Sequence, residues 1–176
     1  MQEAQLYLEL RACTCGQDRF QPVHELQRRG DDLIARFTGP CRTCGATRTY
    51  EFVMERETSS PPAFGGQEAS RLLDAGEFLW ASDQAAARVP VNVSGLTPRR
   101  RGDAMADLRY AIAALQEVAK FIPGGADAVP VEAVSSELGQ VLYRADPERF
   151  TREVLQEHLA SYREGLADLE GVAAGG

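Results

Sequence analysis

The stretch "PCRTCGATRTYEF", residues 40–52, sets a pair of cysteines and a glycine directly ahead of an alternating apolar run. Continued to position 54, it puts Tyr50, Phe52 and Met54 on one face of an extended chain and Thr49, Glu51 and Val53 on the other. That period of two predicts a half-buried strand. Upstream, "RACTCGQDRF", residues 11–20, holds a second cysteine pair. Cys13, Cys15, Cys41 and Cys44 are the only cysteines among 176 residues. The neighbouring segments read in the same way. Leu6, Leu8 and Leu10 alternate in "AQLYLELRA". "FQPVHELQ" carries Phe20, Val23 and Leu26, with Pro22 marking a bend or an edge. "RRGDD" is a turn and "LIARFTG" a short strand. Four antiparallel strands in up-and-down order are predicted, which brings both cysteine loops to one end of the sheet.

Zinc favours four tetrahedral ligands, and thiolates suit it. Two residues between paired cysteines let both sulfurs turn toward one ion. A following glycine supplies the positive φ that such a loop requires and lets backbone N–H groups approach the sulfurs. Cys41, Cys44 and Gly45 fit that pattern; Cys13, Cys15 and Gly16 form a tighter version with one intervening residue. "CTCG" and "CRTCG", each at a hairpin tip, make residues 5–56 resemble a zinc ribbon, whose common form has C-x-x-C in both loops. The resemblance implies Zn2+ as cofactor, held by all four cysteines in a closed, structural site. Iron and a redox-active thiol set are the alternatives. Arg11, Arg19, Arg42 and Arg48 flank the pairs. They read as charge balance for a centre of net charge about −2, or as a rim for phosphate.

The N-terminus has no basic run and two glutamates, so no signal peptide is read, and no apolar run approaches the ~18 residues of a membrane span. The cytoplasm is the expected compartment, and it disfavours disulfides. Eighteen arginines stand against one lysine, Lys120, a bias that suggests a high-GC bacterial genome. Net charge is −7. Residues 1–58 hold eight arginines and nine acids, a balance of −1, so residues 59–176 carry −6. That half repels phosphate backbones, and nucleic acid is not the expected partner.

"ETSSPPAFGGQ", residues 57–67, is rich in Pro, Gly and Ser and reads as a linker. Beyond it the apolar period changes to about 3.6. "QEASRLLDAGEFLWASDQAAARV" reads as one helix or two, with Gly76 as a break. Thr97–Pro98 is a helix start; the helix it opens carries Met105, Leu108, Ile112, Leu115, Ala119 and Ile122 and reads as the central one. A further helix, weakened by Gly139, follows. A second start at Asp146–Pro147 opens a last helix bearing Phe150, Val154, Leu155, Leu159, Tyr162, Leu166 and Leu169. The expected fold is α+β. A zinc ribbon (1–57) and a linker (58–67) precede a bundle of four to five helices (68–176), and the antiparallel ribbon packs on the bundle.

No catalytic motif appears: there is no G-x-S-x-G, Walker or dinucleotide loop. His24 and His158 read as partly buried structural histidines, and Ser59, Ser60, Ser135 and Ser136 as turn or cap residues. The basic cluster Arg99–Arg101 opens a helix, where it reads as balanced by nearby acids. "FLW" puts three large apolar residues in succession, which one helix stripe cannot hold. At least one then lies near an edge, covered either by the ribbon or by a partner; in the second reading Trp80 is the partner anchor, with Asp74, Glu77 and Asp83 as acids that would favour a basic protein partner. The expected function is a non-enzymatic bacterial protein-binding module with a structural zinc site, such as a toxin-immunity or adaptor protein. A nucleic-acid-associated ribbon is the second reading, and an enzyme with its site in the helical half the third.

Overall fold

The computed structural model describes residues 2–54, 63–93 and 95–174. The chain divides into two compact units, Met1–Ser60 and Pro61–Gly176. The expected linker residues 58–62, and with them Ser59 and Ser60, lie outside the described residues.

The first unit holds α1 (Gln2–Leu10) and three antiparallel strands in the order β1 (Val23–Arg29), β2 (Asp32–Pro40) and β3 (Thr47–Met54). One expectation is corrected here: "AQLYLELRA" is a helix, not a strand. Glutamine, glutamate, alanine and leucine are good helix formers, and the segment holds no β-branched residue. Its leucines alternate, but Ala4 and Leu8, one helical turn apart, are the pair that joins Ala35, Phe37 and Phe52 in the core. Tyr7 completes the contact, with its ring edge-on to Tyr50 and Phe52 at 6.0 and 5.6 Å. The strand register sets Leu26, Ala35 and Phe52 abreast on the face toward α1, followed by His24, Phe37 and Tyr50. β1 is an edge strand, and Val23 and Leu26 on it are largely exposed.

The second unit, among its described residues, holds four α-helices and two short 3-10 turns. They are α2 (Ala75–Ala86), α3 (Pro98–Lys120), a turn at Val131–Ala133, α4 (Glu137–Ala145), a turn at Pro147–Phe150 and α5 (Arg152–Ala174). Thr97 caps α3, accepting from the Arg100 N–H, as its Thr–Pro start predicts. Asp146–Pro147 opens the 3-10 turn rather than the last helix, and the Asp146 side chain makes no cap bond. α3 buries Leu108, Ala111, Ala114, Leu115 and Val118 and contacts both α2 and α5. "QEASRLLD" is not helical: α2 begins after it, and Gly76 lies in the first turn of α2 rather than at a break. A Cβ on Gly76 would lie 2.2 Å from the Gly139 Cα, so two glycines allow α2 and α4 to touch backbone to backbone. The expected linker also ends early. Phe64 is buried edge-on to Phe78 and Tyr110, and the Gly66 carbonyl accepts from Lys120. No helix among the described residues is long and apolar enough to cross a membrane.

Candidate metal centre

Two loops of the first unit carry the cysteines. One leads from α1 to β1 and the other joins β2 to β3. Each is closed by its own backbone. In the first, the Cys13 N–H donates to the Gln17 carbonyl (2.7 Å) and the Gly16 N–H to the Cys13 carbonyl (2.8 Å). In the second, the Cys41 N–H donates to the Ala46 carbonyl (2.8 Å) and the Gly45 N–H to the Cys41 carbonyl (2.9 Å). Gly16 and Gly45 have φ of 85° and 74°, the left-handed region that glycine enters without strain. The C-x-C loop is thus a one-residue-shorter copy of the C-x-x-C loop. A side-chain bond from Gln17 to Thr43 (2.9 Å) ties the two together.

All four sulfurs lie within 4.8 Å of one another. The Cys13–Cys44 and Cys15–Cys41 pairs are each 3.6 Å apart, and every cysteine is a free thiol. Thiolates at ~2.3 Å from a central ion define a tetrahedron with edges of about 3.8 Å, and the two 3.6 Å pairs lie near that length. A disulfide would need ~2.05 Å. Cys13 and Cys41 are buried, while Cys15 and Cys44 face solvent.

The loop N–H groups stabilise the sulfurs as anions. The Cys15 N–H at the Cys13 sulfur outweighs burial and lowers that thiol from 9.0 to about 6. The N–H groups of Cys44 and Thr43 lower Cys41 likewise. At Cys44 the Ala46 N–H pulls downward, but the sulfurs of Cys15, Cys13 and Cys41, together with burial, overcome it and push the thiol up to about 11. The last proton therefore leaves only against the field of neighbouring sulfurs. A bound cation removes that penalty, so the cluster could hold a metal ion, and with four ligands it leaves no open position. No other group of metal-ligating side chains is present among the described residues.

No protein-family model, curated protein or solved structure matches the chain.

The other expected site residues do not gather. Of the four flanking arginines, Arg48 is buried and Arg11 lies over the Tyr7 ring. Arg42 donates to the Gln21 side chain, and Arg19 is exposed. They do not form one outward rim. His24 stacks on Phe37 at 4.6 Å, and His158 lies beside Tyr162 on α5. Arg99 and Arg100 are exposed in the first turn of α3. Phe78 and Leu79 are fully buried, and Trp80 is the member of that trio that reaches the surface.

The expected acidic surround of Trp80 needs correction. Asp74 and Glu77 are buried: they form a capping box at the start of α2, and Asp74 also accepts from the Ser135 and Ser136 N–H groups ahead of α4. Asp83 is paired with Arg149 at 2.7 Å. The signal for the box was present, since Asp74 and Glu77 have the N-cap and N3 spacing.

One feature had no local signal. A groove of about 700 Å3 runs between α1 and the approach to β1, floored by Leu8, Phe20, Pro22, His24 and Phe37. Residues of three separate segments meet there, which no single stretch of sequence announces.

Proposed function

We propose that the chain is a non-enzymatic protein-binding module whose first unit is a zinc ribbon, with one Zn2+ held by Cys13, Cys15, Cys41 and Cys44. The observation that carries this reading is the cluster of four sulfurs, all within 4.8 Å of one another, on two backbone-closed loops. Such a site leaves no coordination position for substrate, and its binding energy is folding energy. It pins α1 and the sheet of a small unit whose core alone gives marginal stability.

Surface features support a binding role. β1 offers a free edge with exposed Val23 and Leu26, and the groove beside α1 adjoins it. On the second unit, Trp80 remains the apolar contact candidate. Toxin-immunity and adaptor roles both belong to this class. The arginine arrangement and the net charge of −7 count against nucleic acid.

The test is affinity capture from native lysate, with and without nuclease, comparing the wild-type chain with Leu26→Glu and Trp80→Ala. A nuclease-resistant protein partner lost in one folded variant is expected and names the surface. Capture that disappears with nuclease would refute the reading.

A further inference from the structure

Arg48 is the one buried cation among the described residues, at 8% exposed. Its guanidinium lies 4.2 Å from the Phe20 ring centroid and 5.5 Å from that of Tyr50. Nη2 donates to the Arg11 carbonyl and, at 3.1 Å, to the Tyr50 hydroxyl. Nη1 is buried without a hydrogen-bond partner, and no carboxylate among the described residues pairs with the group. A charge taken from water in this way is unfavourable unless something compensates it. Ring faces and two oxygens compensate only part.

The placement supplies the remainder. Arg48 pairs with Gly39 across the ladder that closes at Pro40 and Thr47, so it sits where the second cysteine loop leaves the sheet. The carbonyl it holds belongs to Arg11, two residues ahead of Cys13, where the first loop begins. Both loops therefore leave the scaffold beside this guanidinium. A divalent ion with four thiolates has a net charge of about −2. No sulfur is within hydrogen-bond reach of Nη1, so the attraction acts through space, and its buried end is screened little by salt.

We infer that Arg48 is the countercation and positioning residue of the metal centre. Its charge offsets the tetrathiolate, and its bond to the Arg11 carbonyl fixes the entry of the first loop against β3. This rests on the four-cysteine site. It separates Arg48 from Arg11, Arg19 and Arg42, none of which is buried.

The test compares the wild-type chain with Arg48→Met, Arg48→Lys and the exposed control Arg19→Met. Cobalt(II) loading first asks whether the four-thiolate spectrum forms. Its absence in the wild-type chain would overturn the site itself, and the inference with it. Zinc affinity is then read by competition with a chromophoric chelator. Outer-shell partners are worth about 10–100-fold in metal affinity, so Arg48→Met should lose at least about tenfold. Arg48→Lys should lose less, and Arg19→Met should stay within about twofold. A second readout is indifferent to packing: with iron in the site, Arg48→Met should shift the reduction potential to more negative values and Arg48→Lys should lie nearer wild type. If Arg48→Met does not fold, Arg48→Gln carries the same comparison. Equal zinc affinity in all chains, or equal losses in Lys and Met with an unshifted potential, would overturn the inference.

Discussion

Asp74→Ala should unfold the helical unit at a much lower temperature, because one carboxylate serves two helix starts. Oδ1 accepts from the Glu77 N–H at 2.8 Å, and Oδ2 accepts from the Ser135 N–H at 2.8 Å and from the Ser136 N–H. Loss of an N-cap costs about 1 kcal/mol. Each N–H left without a partner adds about 1–3 kcal/mol. Backbone relaxation and water entry at the part-buried serines put the sum at the low end, about 3–5 kcal/mol. A domain of this size has ~5–15 kcal/mol in total. At roughly 4 °C per kcal/mol, the transition should fall by about 12–20 °C. Thermal unfolding followed by circular dichroism at 222 nm reads this directly. Asp74→Asn provides the internal comparison: its oxygen can keep the α2 cap, while its amide would face the Ser135 and Ser136 donors, so about half of the loss is expected. A loss under about 1 kcal/mol in Asp74→Ala would refute the two-helix role and return Asp74 to the surface acids that its sequence context suggested.

Two further outcomes follow from the same structure. Gly76→Ala should destabilise the second unit by about 2–3 kcal/mol or more, although alanine gains ~1 kcal/mol of helix propensity, because its Cβ would meet the Gly139 backbone at 2.2 Å; a variant as stable as wild type would contradict that contact. Metal affinity should fall with acidity, since protons compete for the thiolates. Cys13, lowered to about 6 in the metal-free site, carries no proton to displace above that pH but does below it. A plot of log affinity against pH should therefore steepen by about one proton below about pH 6. Competition titrations between pH 5 and 8 test this, and an unchanged slope counts against the lowered thiol.

The four-cysteine cluster, which could hold a metal ion, was legible in the sequence because its determinants are local: two short cysteine spacings, each with a glycine in place. The strands at 23–29, 32–40 and 47–54 were legible for the same reason, as was the Thr97–Pro98 helix start. The first segment misled because Leu6, Leu8 and Leu10 alternate within residues of high helix propensity. The cluster against the sheet takes the i, i+4 pair Ala4 and Leu8, and Leu6 is buried as well. Asp74 and Glu77 were read by charge, when their spacing already described a capping box. Gly76 and Gly139 had meaning only as a pair 63 positions apart in the chain, and a break or a weakened helix was all that either suggested alone. Arg48 looked like its three neighbouring arginines until burial set it apart.

The most direct measurement is the metal content of the chain purified without added chelator, taken together with its thermal transition. One zinc per chain is expected, absent in Cys44→Ser, with the first unit unfolding well below its wild-type temperature once the metal is removed. A chain that carries no metal and keeps the same transition after chelation would contradict the reading of Cys13, Cys15, Cys41 and Cys44 as a structural zinc site.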